Sequence, residues 1–70
     1  MDMTVWIEWS TVYRMYQVSI MLGNQVSTFY VPLNEMSYMK FLFKQLTIRS
    51  IKLGSTLTKE QNDALREALR

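Results

Sequence analysis

Two runs rich in β-branched, aromatic and aliphatic residues, Tyr13 to Leu22 and Gln25 to Leu33, flank the dipeptide Gly23-Asn24. Glycine in the first position of a two-residue loop suits a type II′ turn, whose twist matches that of the strands it joins. Such a turn sets the register, and the register can be tested against the hydrophobic pattern. Leu22 opposes Gln25, Ile20 opposes Ser27, Val18 opposes Phe29, Tyr16 opposes Val31 and Arg14 opposes Leu33. Opposed residues share a face. One face therefore collects Leu22, Ile20, Val18, Phe29, Tyr16, Val31 and Leu33, a core face. The other collects Met21, Val26, Ser19, Thr28, Gln17, Tyr30, Met15 and Tyr13, a mixed one.

Upstream, Thr4 to Trp9 alternates as a strand, with Val5, Ile7 and Trp9 on one side and Thr4, Trp6 and Glu8 on the other. An unbroken strand from Thr4 to Leu22 would span roughly 60 Å at ~3.3 Å per residue. Two solutions remain: a bend or bulge near Ser10 and Thr11, or a flexible or swapped arm over residues 1–11 that reaches a second subunit. Pro32 cannot donate to a ladder and stops the second hairpin strand. Asn34 is placed as an N-cap, Glu35 suits the positive helix end, and Leu33 with Tyr38 are spaced as a hydrophobic staple. Met36, Met39, Phe43 and Leu46, widened by Leu42, form a helical stripe and predict a helix from Glu35 to about Leu46. The stretch 47–53 reads either as a strand returning to the sheet, which its β-branched content favours, or as helix continuing to a cap at Gly54. Thr58-Lys59-Glu60-Gln61 is a capping box, and Leu65, Ala68 and Leu69 line a final helix. The expected fold class is α+β: an antiparallel hairpin extended to a small sheet, one packed helix and a C-terminal helix, in a single small domain over residues 1–70.

Composition narrows the chemistry. The chain has no histidine and no cysteine, so the commonest general base, thiolate chemistry, disulfides and the usual zinc ligands are all missing. Glu60, Asp63 and Glu67 share a helix face with Arg66 and Arg70 among them, which reads as a salt-bridged surface rather than an acid–base pair. No oxygen-rich cation loop is present. The expectation is a non-enzyme with no cofactor and no metal. No apolar run nears the ~20 residues of a membrane span, and with Asp2 and Glu8 at the start the chain does not open like a signal peptide; the expected setting is the cytoplasm, or a host's cytoplasm.

A chain of 70 residues buries about 60% of its unfolded surface, and without disulfide or metal its remaining staple is association. Trp6, Trp9, Tyr13, Tyr16, Phe29, Tyr30, Tyr38, Phe41 and Phe43 are a large aromatic load for one small core. A compact monomer that encloses them all is the alternative. Met36 and Met39 belong to the helix stripe and hence to the core. Met15 and Met21, on the mixed face, suit an interface or a second core layer equally. The partner-binding candidates are accordingly Tyr13, Met15, Met21, Tyr30, Trp6 and Trp9.

Net charge is +2, but residues 36–59 hold Lys40, Lys44, Arg49, Lys52 and Lys59 and no acid. A solvated face explains this, and so does a surface for phosphates, with Lys40, Lys44, Arg49 and Lys52 as nucleic-acid contacts and Tyr13 and Tyr30 as stacking platforms. No Gly-rich phosphate cradle or arginine-rich arm accompanies them.

Residues 16–53 resemble, in the order of their elements, the small phage inhibitors of uracil-DNA glycosylase, which build a dimer from a hairpin, a helix and a further strand. The local echoes are Tyr16-Gln17-Val18-Ser19, Met36-Ser37 through Leu42-Phe43, and Ile51-Lys52-Leu53. That family is acidic where this segment is basic, so no functional residue is carried over. The resemblance implies a small, dimeric, phage-type protein with a different target. Three functions follow: a homodimer that inhibits or adapts a partner protein, a nucleic-acid binder using the basic segment, and a structural subunit that self-associates beyond a dimer.

Overall fold

The computed structural model of the chain describes residues 3–45 and 50–69. Its elements run β1 (Met3–Ser10), β2 (Met15–Leu22), β3 (Gln25–Pro32), α1 (Met36–Gln45), β4 (Ser50–Leu53) and α2 (Lys59–Ala68). The α+β class is as expected: a four-stranded sheet, ordered β3-β2-β1-β4, with two helices.

The β2–β3 hairpin has the register that the turn dictates: Leu22 opposes Gln25, Ile20 opposes Ser27, Val18 opposes Phe29 and Tyr16 opposes Val31. Gly23 has φ +61, while Asn24 is not among the residues with positive φ, the φ pattern of a type II′ turn. The ladder closes at Met15 and Pro32, so the expected Arg14–Leu33 pair does not form. Arg14 instead turns the chain, at φ +54.

That turn is how β1 reaches the sheet. The longest dimension of the molecule is 31 Å, far short of a continuous strand, and the chain doubles back through Thr11–Arg14. The Arg14 N–H donates to the Ser10 carbonyl at 2.8 Å, and the Tyr13 N–H donates to Ser10 Oγ at 3.2 Å. Strand β1 then pairs with β2 along its whole length, Met3 with Leu22 through Ser10 with Met15. Within the single chain, residues 3–14 take the bend.

The stretch 47–53 ends as a strand. Ser50–Leu53 pairs with Thr4–Ile7 in parallel, so the sheet is mixed and not purely antiparallel. The reason is topological. Strand β3 lies on one edge with the same direction as β1, and a helical crossover returns the chain in that direction on the other edge. The loop after β4 completes the cover of β1: Gly54 donates to the Ile7 carbonyl at 2.8 Å, and Trp9 donates to Thr56 Oγ1 at 2.9 Å.

Both helices pack on one face of the sheet. The core is Val5, Ile7, Tyr16, Val18 and Val31 from the strands, Met39 and Phe43 from α1 and Leu65 from α2, with Met36 and Leu42 packed against it. Leu46, the last residue of the expected stripe, lies outside the described residues. Helix α1 starts one residue later than its sequence signals imply: the Glu35 carbonyl accepts from Tyr38 and Met39, and Glu35 itself donates to Pro32 across a tight turn. Asn34 is spent in that turn rather than as the cap. Leu33 and Tyr38 are each more than half exposed, so no staple buries them. The Thr58 capping box is present in full, with Gln61 N–H donating to Thr58 Oγ1 and the Thr58 N–H to Gln61 Oε1.

A methyl group added at Gly23 meets no atom within 4 Å, so Gly23→Ala tests backbone strain alone. The expected loss is about 1 kcal/mol from forcing an L-residue into positive φ, read as a lower denaturant midpoint with an unchanged m-value. Burial pushes the Tyr16 phenol above its ordinary value of 10.0. The folded state therefore keeps the proton that the unfolded chain gives up, and stability is intact below pH 10 and falls as pH rises beyond it. Tyr16→Phe should flatten that alkaline decline in melting temperature relative to the wild type.

Candidate protein-binding face

Strict alternation on β1, β2 and β3 sends the residues that do not enter the core to the opposite face of the sheet. Register assembles them into rows: Thr4, Met21 and Val26; Trp6, Ser19 and Thr28; Glu8, Gln17 and Tyr30; Ser10, Met15 and Pro32. None of these residues belongs to the core cluster that receives the helices. Trp6 is 36% exposed, Tyr30 41% and Val26 62%, and Ser19 and Thr28 share a hydrogen bond across the strands at 3.2 Å. Aromatic and thioether groups here alternate with polar ones.

Four of the six partner-binding candidates, Trp6, Met15, Met21 and Tyr30, meet on this open face. Tyr13 joins it from the β1–β2 turn, its ring tilted against that of Tyr30 with centroids 4.8 Å apart. Trp9 does not. It stands on the helix-covered side, edge-on to the Tyr16 ring at 5.2 Å and packed against the core, because its position shares the parity of Val5 and Ile7. Trp9 is a packing residue.

The basic candidates are divided by the sheet. Lys40 and Lys44 are exposed on α1, on the helical side. Lys52 pairs laterally with Trp6 and so belongs to the open face. Arg49 lies outside the described residues. The segment that is continuous in sequence is therefore not one surface.

Two residues that sequence reasoning passed over shape this face. Glu8 accepts a hydrogen bond from Trp6 Nε1 at 2.8 Å, which occupies the polar handle of the indole. Room for the Glu8 side chain comes from Gly54, which is buried and whose missing Cβ would overlap that side chain. The i, i+2 spacing of Trp6 and Glu8 is visible in sequence; their dependence on Gly54 is not, because it needs the β1–β4 pairing.

On the helical side, Ile51, Leu53, Leu65 and Leu69 floor a cleft of about 280 Å³ with Asn62 and Arg66 at its rim. Arg66 Nε donates to Asn62 Oδ1 at 2.7 Å, so these rim groups satisfy each other. Among the described residues no three His, Cys, Asp or Glu side chains gather to hold a metal ion.

Gly54→Ala should displace Glu8 and free the Trp6 indole N–H. The expected reading is a moved Trp6 indole resonance and faster exchange of its proton, with the Trp9 resonance nearly still. Glu8→Gln, which keeps an acceptor oxygen, should leave the Trp6 signal close to its wild-type position. Compared with protein-family models, with curated proteins and with solved structures, the chain matches none.

Proposed function

We propose that the protein is a non-enzymatic protein-binding module that acts as a homodimer and inhibits or adapts a partner protein through its open sheet face. The observation that carries this reading is the gathering of Trp6, Met15, Met21, Tyr30 and Tyr13 on one helix-free surface. Trp and Tyr are among the side chains that dominate binding energy at protein interfaces, and Met is enriched there. Trp6 is held ready by Glu8, and the Tyr13–Tyr30 pair is packed before any partner arrives, so little side-chain freedom remains to be lost on binding. The reading takes the protein as a phage-type adaptor or inhibitor working in the cytoplasm, its own or a host's; no described helix is long and apolar enough to cross a membrane.

Nucleic-acid binding is the competing outcome of the test. The full chain is used to capture partners from lysate with and without nuclease, beside Trp6→Ala, Tyr30→Ala and Lys40→Ala/Lys44→Ala variants. Nuclease-resistant recovery of one defined protein, weakened about tenfold or more by Trp6→Ala or Tyr30→Ala as expected for central aromatic anchors, supports the proposal. Nuclease-sensitive, salt-dependent recovery that is lost with the lysines and not with the aromatics would replace it.

A further inference from the structure

The two edges of the sheet are protected to very different degrees. Strand β4 is four residues long, carries Lys52 and is followed at once by the loop that closes over β1. Strand β3 is eight residues long, largely exposed, and runs in unbroken register against β2 without a bulge. From Gln25 to Val31 it holds no charged residue and no proline. Natural proteins blunt long sheet edges with charge, proline, bulges or a covering element, because a bare edge is a template for another strand.

Which groups the edge offers follows from the turn. A tight turn directs the Gln25 N–H back to Leu22, and in an antiparallel pair the bonded residues alternate. Gln25, Ser27, Phe29 and Val31 thus address β2, while Val26, Thr28 and Tyr30 address solvent. Pro32 falls in the outward phase, where its missing N–H costs the β2 ladder nothing. It also ends the row of donors, so the row is Val26, Thr28 and Tyr30, and its midpoint is Thr28.

We propose that β3 pairs antiparallel with β3 of a second copy about a two-fold axis at Thr28, joining the two sheets into one. This rests on the homodimer of the preceding reading and states how that homodimer is built. In this register Thr28 opposes Thr28, and Val26 opposes Tyr30 on either side, so every outward donor and acceptor in the row is used. Threonine–threonine and aromatic–β-branched pairs are favourable cross-strand neighbours. A two-fold axis normal to the sheet keeps like face with like face, so the helices of both copies lie on one side and both open faces on the other. Helix α1, which packs against β3, is the helix nearest the seam, and its Tyr38 and Phe41 are each more than half exposed. The interface is isologous and closes at two copies. Continued growth through β4 is opposed by the short edge and by Lys52.

The test combines sedimentation over a micromolar concentration series with backbone amide exchange of the full chain. The expected result is a dimer in which the Val26, Thr28 and Tyr30 amides become protected as dimer forms. Thr28→Pro, which removes an N–H that its own chain does not use, should weaken association roughly tenfold or more. Trp6→Ala, two strands from the seam, should change it less than about twofold. If Thr28→Pro fails to fold by circular dichroism, Thr28→Lys takes its place, since it sets two like charges at the axis on an exposed position. A dimer whose three amides exchange freely, or that Trp6→Ala weakens while Thr28→Pro does not, overturns the β3 seam and leaves the homodimer standing. A monomer at every concentration overturns both. Protection of the same amides in a monomer bound to a different chain overturns the second copy as the occupant.

Discussion

The two-residue turn at Gly23-Asn24 is the constraint on which the rest of the molecule depends. A strand has a side-chain period of two, so a slip of one residue exchanges everything buried for everything exposed. With Leu22 set against Gln25, Tyr16, Val18, Val31 and Phe29 fall on one side and Met15, Met21, Val26, Thr28 and Tyr30 on the other. The same turn decides the phase of the backbone, so that Val26, Thr28 and Tyr30 present their hydrogen-bonding groups outward and Pro32 sits where an N–H is not needed. Core, open face and free edge are three consequences of one register.

Topology then decides which face is covered. A single helical crossover from β3 to β4 passes over one side of the sheet, and α2 adds to the same side through Leu65. Among the described residues no further element lies on the other side. What remains uncovered is neither a core nor an ordinary polar surface. Ser19 and Thr28 bond to each other, Trp6 bonds to Glu8, and the aromatic rings of Tyr13 and Tyr30 pack together. Each polar group on this face that has such a partner can lose its water at reduced cost, while Trp6, Val26 and Tyr30 supply the apolar area.

Much of this is legible in the sequence, and the illegible part has a common cause. The hairpin register, the helix stripe of Met39 and Phe43 and the capping box at Thr58 all rest on residues within a few positions of one another. The errors arise where distant segments meet. Alternation places Trp9 with Val5 and Ile7 but says nothing of which side the helices take, so Trp9 passes for an interface residue. Five basic residues with no intervening acid suggest one patch, yet the sheet divides Lys40 and Lys44 on its helical side from Lys52 on its open face. The support of Trp6 by Glu8 and Gly54 needs a parallel β1–β4 contact across more than forty residues, which no local pattern encodes. The local misreadings, Asn34 as the helix cap and the Leu33–Tyr38 staple, reflect competition: the same residue types serve tight turns and caps, and the turn after Pro32 takes Asn34 first.

The free edge and the open face are linked through Thr28 and Tyr30, which belong to both. A seam at β3 that preserves the sense of the sheet would bring two open faces side by side on one surface, with the Tyr30 side chains flanking the axis and a Trp6 toward either end. A partner with two-fold symmetry, or with a repeated epitope, would meet that surface twice. The second contact would then form at the effective concentration set by a rigid sheet rather than by free diffusion, which raises avidity without any new chemistry at either site. A bare β3 edge is a hazard in a monomer, because it invites strand addition by any exposed chain. Sealed by its own copy as proposed, the same edge would double the open face.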